Sequence, residues 1–180
     1  MSVRHGLMAL LASRPAHGYD LKLRYEASTG GTRWVNGGQI YTTLGRLERD
    51  ALIETTAKAG DDAEKTVYRL TERGSAEMHE WFETPVGSGD GSRDELLVKV
   101  ALSFDTPGID TRTVLRTQRQ ATLRALQELT ARKVQLGADT PLGAQASLDL
   151  LIARAEAETR WLELCEARVA RASRRRKAEA

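Results

Sequence analysis

Ile40, Leu44, Leu47 and Ala51 are spaced four, three and four residues apart, and two β-prone stretches follow them at once. At about 100° per residue these four side chains share one narrow stripe of a helix. The opposite side carries Gln39, Thr42, Arg46 and Arg49 with Gly45 among them, and Tyr41 and Thr43 flank it. Asn36-Gly37-Gly38-Gln39 reads as the start, with Asn36 as N-cap and Gln39 three residues on. Leu52-Ile53-Glu54-Thr55-Thr56 and Thr66-Val67-Tyr68-Arg69-Leu70 are strand-like, and the polar segment between them contains Gly60-Asp61-Asp62. A helix that must bury one stripe and leave its back wet, followed directly by a β-hairpin, narrows the choice of folds more than any other feature.

The flanking segments fill in the order. Val3, Leu7, Leu10 and Leu11 recur at helical spacing, so residues 3–13 read as a first helix that Pro15 ends. Tyr19 to Ser28 reads as a second, closed by Thr29-Gly30-Gly31. Thr71 caps a fourth, with Met78, Trp81 and Phe82 on its apolar side and Thr84-Pro85 as its stop. Residues 85–93, Pro-Val-Gly-Ser-Gly-Asp-Gly-Ser-Arg, are linker-like. Beyond them the chain reads as helices near 94–101, 110–137 and 142–176. The expected fold is mainly α with a small β-hairpin wing: a winged helix-turn-helix over 1–85, a linker at 86–93, and a helical dimerisation domain over 94–180.

In the last helix Leu148, Ala155, Leu162 and Val169 repeat every seven residues, with Leu151 and Cys165 at companion positions and Glu158 interrupting the seam. Leu148, Leu151, Ile152, Ala155, Leu162 and Val169 are the expected dimerisation residues. Arg168, Arg171 and Arg174 to Lys177 form a basic end that suits a helix C-terminus.

Composition removes several classes. Hydrophobic residues make up 41%, enough for a packed core. No apolar run approaches the roughly 18 residues of a membrane helix. The single cysteine, Cys165, cannot form an intrachain disulfide, and no signal-peptide pattern opens the chain, so the cytoplasm is the expected compartment. His5, His17 and His79 are too scattered for a metal site. No nucleophile-base-orienter set and no phosphate loop with a lysine is recognisable, so no enzyme, cofactor or metal is expected.

The order helix, helix, helix, strand, strand, helix suits DNA. The major groove admits one α-helix, and Gln, Arg and Thr can all reach base edges there. Gln39, Tyr41, Thr42, Thr43 and Arg46 are therefore candidate DNA contacts. Tyr19, just inside the second helix, joins them because a helix N-terminus favours a phosphate; packing on the first helix is its competing role. Lys58 and Lys65 of the hairpin are candidate phosphate contacts, although Asp61, Asp62 and Glu64 beside them repel DNA. Trp34 is expected to anchor its loop. Residues 1–85 hold 11 Lys+Arg against 12 Asp+Glu, so attraction to DNA must come from local arrangement. That near-neutral balance supports a rival, a winged-helix module for protein interaction without DNA; a small-molecule binder built on the helical half is another.

The chain also resembles the PadR family of transcriptional regulators. The resemblance rests on Pro15-Ala16-His17-Gly18-Tyr19-Asp20-Leu21, Trp34, Gly38-Gln39-Ile40-Tyr41-Thr42-Thr43-Leu44, Arg46-Leu47-Glu48, Asp50-Ala51-Leu52-Ile53, Tyr68-Arg69-Leu70-Thr71-Glu72-Arg73-Gly74 and Trp81. Asp94-Glu95-Leu96-Leu97-Val98-Lys99 resembles the start of that family's helical C-terminal region. It implies a homodimer on a pseudo-palindromic operator, usually a repressor, whose DNA affinity a small-molecule effector often lowers. It also places Tyr19 and the helix from Gln39 to Arg46 against DNA. Ala51 departs from the glycine expected where the chain leaves that helix.

Overall fold

The computed structural model describes residues 2–57, 66–87, 92–137 and 139–178. The elements run α1 (Ser2–Ser13), β1 (Ala16–His17), α2 (Gly18–Ser28), α3 (Gly37–Arg49), β2 (Ile53–Ala57), β3 (Val67–Leu70), α4 (Glu72–Glu83), α5 (Ser92–Ser103), α6 (Thr111–Val134) and α7 (Leu142–Ala178). This is the mainly helical, winged-helix architecture that the sequence predicts.

The wing is a three-stranded antiparallel sheet in the order β1-β3-β2, one strand more than the hairpin read from the sequence. Ala16 faces Tyr68 and His17 faces Val67 across β1 and β3. On the other side Ile53 faces Leu70 and Thr55 faces Tyr68, with a register shift between Thr55 and Ala57. Lys58 and Lys65, the hairpin cations, lie outside the described residues.

The chain divides into two compact units. The first takes in residues 1–84 and 90–110, the second 85–89 and 111–180. In the first, Leu7, Met8, Leu21, Ile40, Leu44, Leu47, Leu52, Ile53 and Met78 are all 1% exposed or less. The packing boundary differs from the sequence boundary, because α5 lies in the first unit rather than in the C-terminal helical one. Leu96, Val98, Val100 and Leu102 are buried, and α5 packs on α1. Polar side chains fasten it further. Trp81 Nε1 donates to Glu95 at 2.9 Å, Arg33 pairs with Asp94 at 2.5 Å, and Lys99 Nζ donates to the Thr84 carbonyl.

In the second unit α6 and α7 form an antiparallel pair. Lys133 meets Asp149 at 2.6 Å near one end and Arg119 meets Glu166 at 3.2 Å further along. Glu158 has its partner inside this pair. It accepts from Thr122 Oγ1 at 2.5 Å and from Gln118 Nε2 at 3.3 Å. Gln118 in turn clasps the Val86 peptide, taking its N–H at 2.7 Å and donating to its carbonyl at 3.0 Å. A satisfied polar knot of this kind fixes register. Leu148 and Leu162, named above for dimerisation, are 7% and 0% exposed.

Candidate nucleic-acid interface

The site is built on α3. Asn36 caps it in extended geometry, and its side chain accepts from Gly38 N–H at 2.9 Å, one residue earlier than the capping box predicts. Ile40, Leu44 and Leu47 are completely buried, so the helix is held along one stripe. Its exit is a Schellman turn: Leu52 N–H reaches Leu47 O at 2.9 Å and Ala51 N–H reaches Glu48 O at 2.9 Å. Ala51 occupies the left-handed position at φ +57°, where the departure from glycine was noted.

The wet side of α3 has three parts. Thr42 and Arg49, seven residues apart and so nearly in line, are exposed at its centre with Gly45, where an added Cβ would meet open space. One flank carries Gln39 and Arg46, both exposed, and half-buried Thr43. Thr43 donates to its own helix at Gln39 O, 2.7 Å away, which leaves its hydroxyl oxygen as an acceptor. The other flank carries Tyr41, half-buried over Gly18: an added Cβ there would lie 2.7 Å from the Tyr41 ring. Gly18 therefore lets α2 and α3 cross closely.

Tyr19 follows Gly18 in the first turn of α2 and is 62% exposed. Its ring is thus not packed on α1. The residue before it, His17, is pinned to the sheet through β1, and its Nδ1 lies 3.2 Å from Thr66 O. The structure therefore brings Tyr19, Tyr41 and the α3 residues into one unit.

Trp34 differs from expectation. It is 73% exposed and does not anchor the loop; Val35 beside it is buried and takes that place. Lys22 Nζ sits 5.9 Å from the Trp34 ring. Arg49, central and 74% exposed at its side chain, is absent from the six contacts singled out on α2 and α3. Its place on the outer face in the helical projection was the signal for it.

Among the described residues, no group of His, Cys, Asp and Glu is arranged to hold a metal, and no helix is long and apolar enough to cross a membrane. The comparisons with known proteins agree with the site. Residues 7–80 match the model of the transcriptional regulator PadR-like family, and residues 92–170 match that of the virulence activator alpha C-terminal region. A Mycobacterium tuberculosis protein named as a probable transcriptional regulator is 28% identical over 131 residues, 69% of this chain and 69% of that protein. The negative transcriptional regulator PadR of Bacillus subtilis is 26% identical over 98 residues, 54% of each chain, so the match spans about half of that relative. Its crystal structure with operator DNA aligns at a TM-score of 0.41 and 22% identity, covering 91% of this chain and 96% of that one.

Proposed function

Since residues 7–80 belong to the PadR-like family of transcriptional regulators, we propose that this chain binds a pseudo-palindromic operator as a homodimer and represses transcription in response to a small molecule. One observation carries the reading: α3 is locked along Ile40, Leu44 and Leu47 at 0% exposure while Gln39, Thr42, Arg46 and Arg49 stand in solvent. A rigid helix with free Gln, Thr and Arg side chains can enter a major groove and reach base edges. Tyr19 and Tyr41 flank that helix, where sugar-phosphate contacts fix orientation.

Dimerisation is assigned to α7. Leu150 and Leu164 are 50% and 52% exposed. With exposed Ala157 and half-buried Trp161 they follow a seven, four, three spacing on the side away from Leu148 and Leu162. A two-fold pair then presents two copies of α3 to successive turns of one face of the duplex.

A gel-shift titration on the DNA upstream of the chain's own gene tests this. Arg46→Ala should cost about 1–3 kcal/mol, confined to particular operator positions if Arg46 reads a base and uniform if it holds a phosphate. Unaltered affinity and footprint for Arg46→Ala would remove this flank of α3 from the interface.

A further inference from the structure

Beside the Gln39 flank of α3 lies a cleft of about 370 Å³, open to solvent. Its floor and walls come from the start of α1, from Tyr25 of α2 and from the loop at 33–35. We propose that it is a binding site for a small planar anion, and that its occupant excludes DNA because Gln39, Thr43 and Arg46 form one of its walls.

The chemistry of the lining decides the ligand class. Three arginines, Arg4, Arg33 and Arg46, reach the cleft, and no carboxylate lines it. Arg4 is already neutralised by Asp50 at 2.8 Å and Glu77 at 3.1 Å, and Arg33 by Asp94. Arg46 makes no ion pair or side-chain hydrogen bond with any described residue and is exposed. Its planar fork is the group to which a carboxylate, sulfonate or phosphate would bind in two-point fashion. The rest of the lining is apolar: Val3, Tyr25, Val35 and the exposed indole of Trp34. A flat hydrophobic body fits that part, stacked on Trp34 at one side. The cleft falls in the size range of small-molecule sites, with mostly apolar walls and a few convergent polar groups.

The flank occupied by such a ligand adjoins the centre of the helix, where Thr42 and Arg49 stand. A ligand there needs no conformational change to compete with a duplex; it takes Arg46 and covers Gln39. The competition rests on the DNA reading of α3, whereas the anion site stands on the cleft alone.

The full-length protein is titrated with anilinonaphthalene sulfonate, a planar aromatic anion that fluoresces when bound. Its uncharged counterpart phenylnaphthylamine serves as control. Arg46→Ala and Trp34→Ala should each weaken sulfonate binding by about tenfold or more, the loss expected for one charge-assisted bond or one stacked ring. The uncharged analogue should bind much more weakly than the sulfonate, and its affinity should not depend on Arg46. A short duplex at low salt should displace the sulfonate. Equal binding of the two probes, or sulfonate affinity untouched by both variants, would overturn the site. Sulfonate kept at full affinity on the DNA-bound protein would overturn the competition. If no duplex binds at any salt while both variants still weaken the sulfonate, the anion site is upheld and the DNA reading of α3 is what fails.

Discussion

Two residues show how closely the chain is fitted around the exit of α3. Ala51 holds φ +57°, a region costing a side-chain-bearing residue roughly 1–2 kcal/mol relative to glycine. Glycine loses more backbone entropy on folding, so Ala51→Gly should gain about 1 kcal/mol net. Urea unfolding should show a higher midpoint at an unchanged slope. The strain persists because the Schellman bonds and buried Leu47 and Leu52 on either side hold the turn. Gly74 is the opposite case. A Cβ there would meet the Leu52 carbonyl oxygen at 2.0 Å, backbone against backbone, with no flexible atom to give way. That same carbonyl accepts from Thr71 N–H at 3.1 Å and from Thr71 Oγ1 at 3.0 Å, so it cannot shift without breaking the cap of α4. Gly74→Ala should therefore destabilise by about 2 kcal/mol or more, read as a fall in the same midpoint.

At the scale of elements, α5 is the part whose setting the sequence did not disclose. Its local pattern is that of a short amphipathic helix, and such a pattern names a buried side without naming the neighbour. The neighbour is α1, where a Cβ on Gly6 would sit 3.3 Å from Leu102 Cδ1. Lys99 completes the junction at 2% exposure, its ammonium 5.1 Å from the Trp81 ring, while His5 stacks on that ring at 5.0 Å. Burial pulls Lys99 down to about 8, with Glu95 opposing. Burial likewise pulls His5 below its usual value, opposed by Glu95 and Glu77 and assisted by Arg4 and Lys99. Both are bases with a folded pKa below the unfolded one, so the unfolded chain takes up their protons first as pH falls. The Lys99 contribution is present above about pH 10.5 and is lost as pH falls through about 8. Holding the charged form at neutral pH costs about 3 kcal/mol. Lys99→Met should thus match or exceed the parent in stability at pH 7, and lose that advantage at pH 10 in parallel urea titrations. By contrast, α3 was legible throughout: its stripe, its cap residue and its wet side follow from residue types at a fixed period. The strand β1 was not, since two residues carry no period and Ala16 and His17 become a strand only through Tyr68 and Val67.

At the scale of the whole molecule, the heptad signal in α7 was real, but a repeat cannot tell an intrachain partner from a second copy. Its buried members Leu148 and Leu162 contrast with Leu150 and Leu164, which remain half in solvent. Leu150→Asp with Leu164→Asp should convert the protein to monomer with its helical content intact, as followed by size exclusion with light scattering and circular dichroism. Leu162→Asp places a charge at a site of 0% exposure and should lower the melting temperature instead. A double mutant that remains dimeric would return the interface to the half-exposed positions Ile152, Ala155 and Val169.

The tiny strand β1 has a mechanical corollary. Because Ala16 and His17 are laced to the edge of β3 and the next residue opens α2, the hairpin and the base of Tyr19 are one lever. Whatever tugs the wing is felt at that aromatic ring within two peptide units, and amides in 16–17 and 67–68 should exchange with deuterium in step.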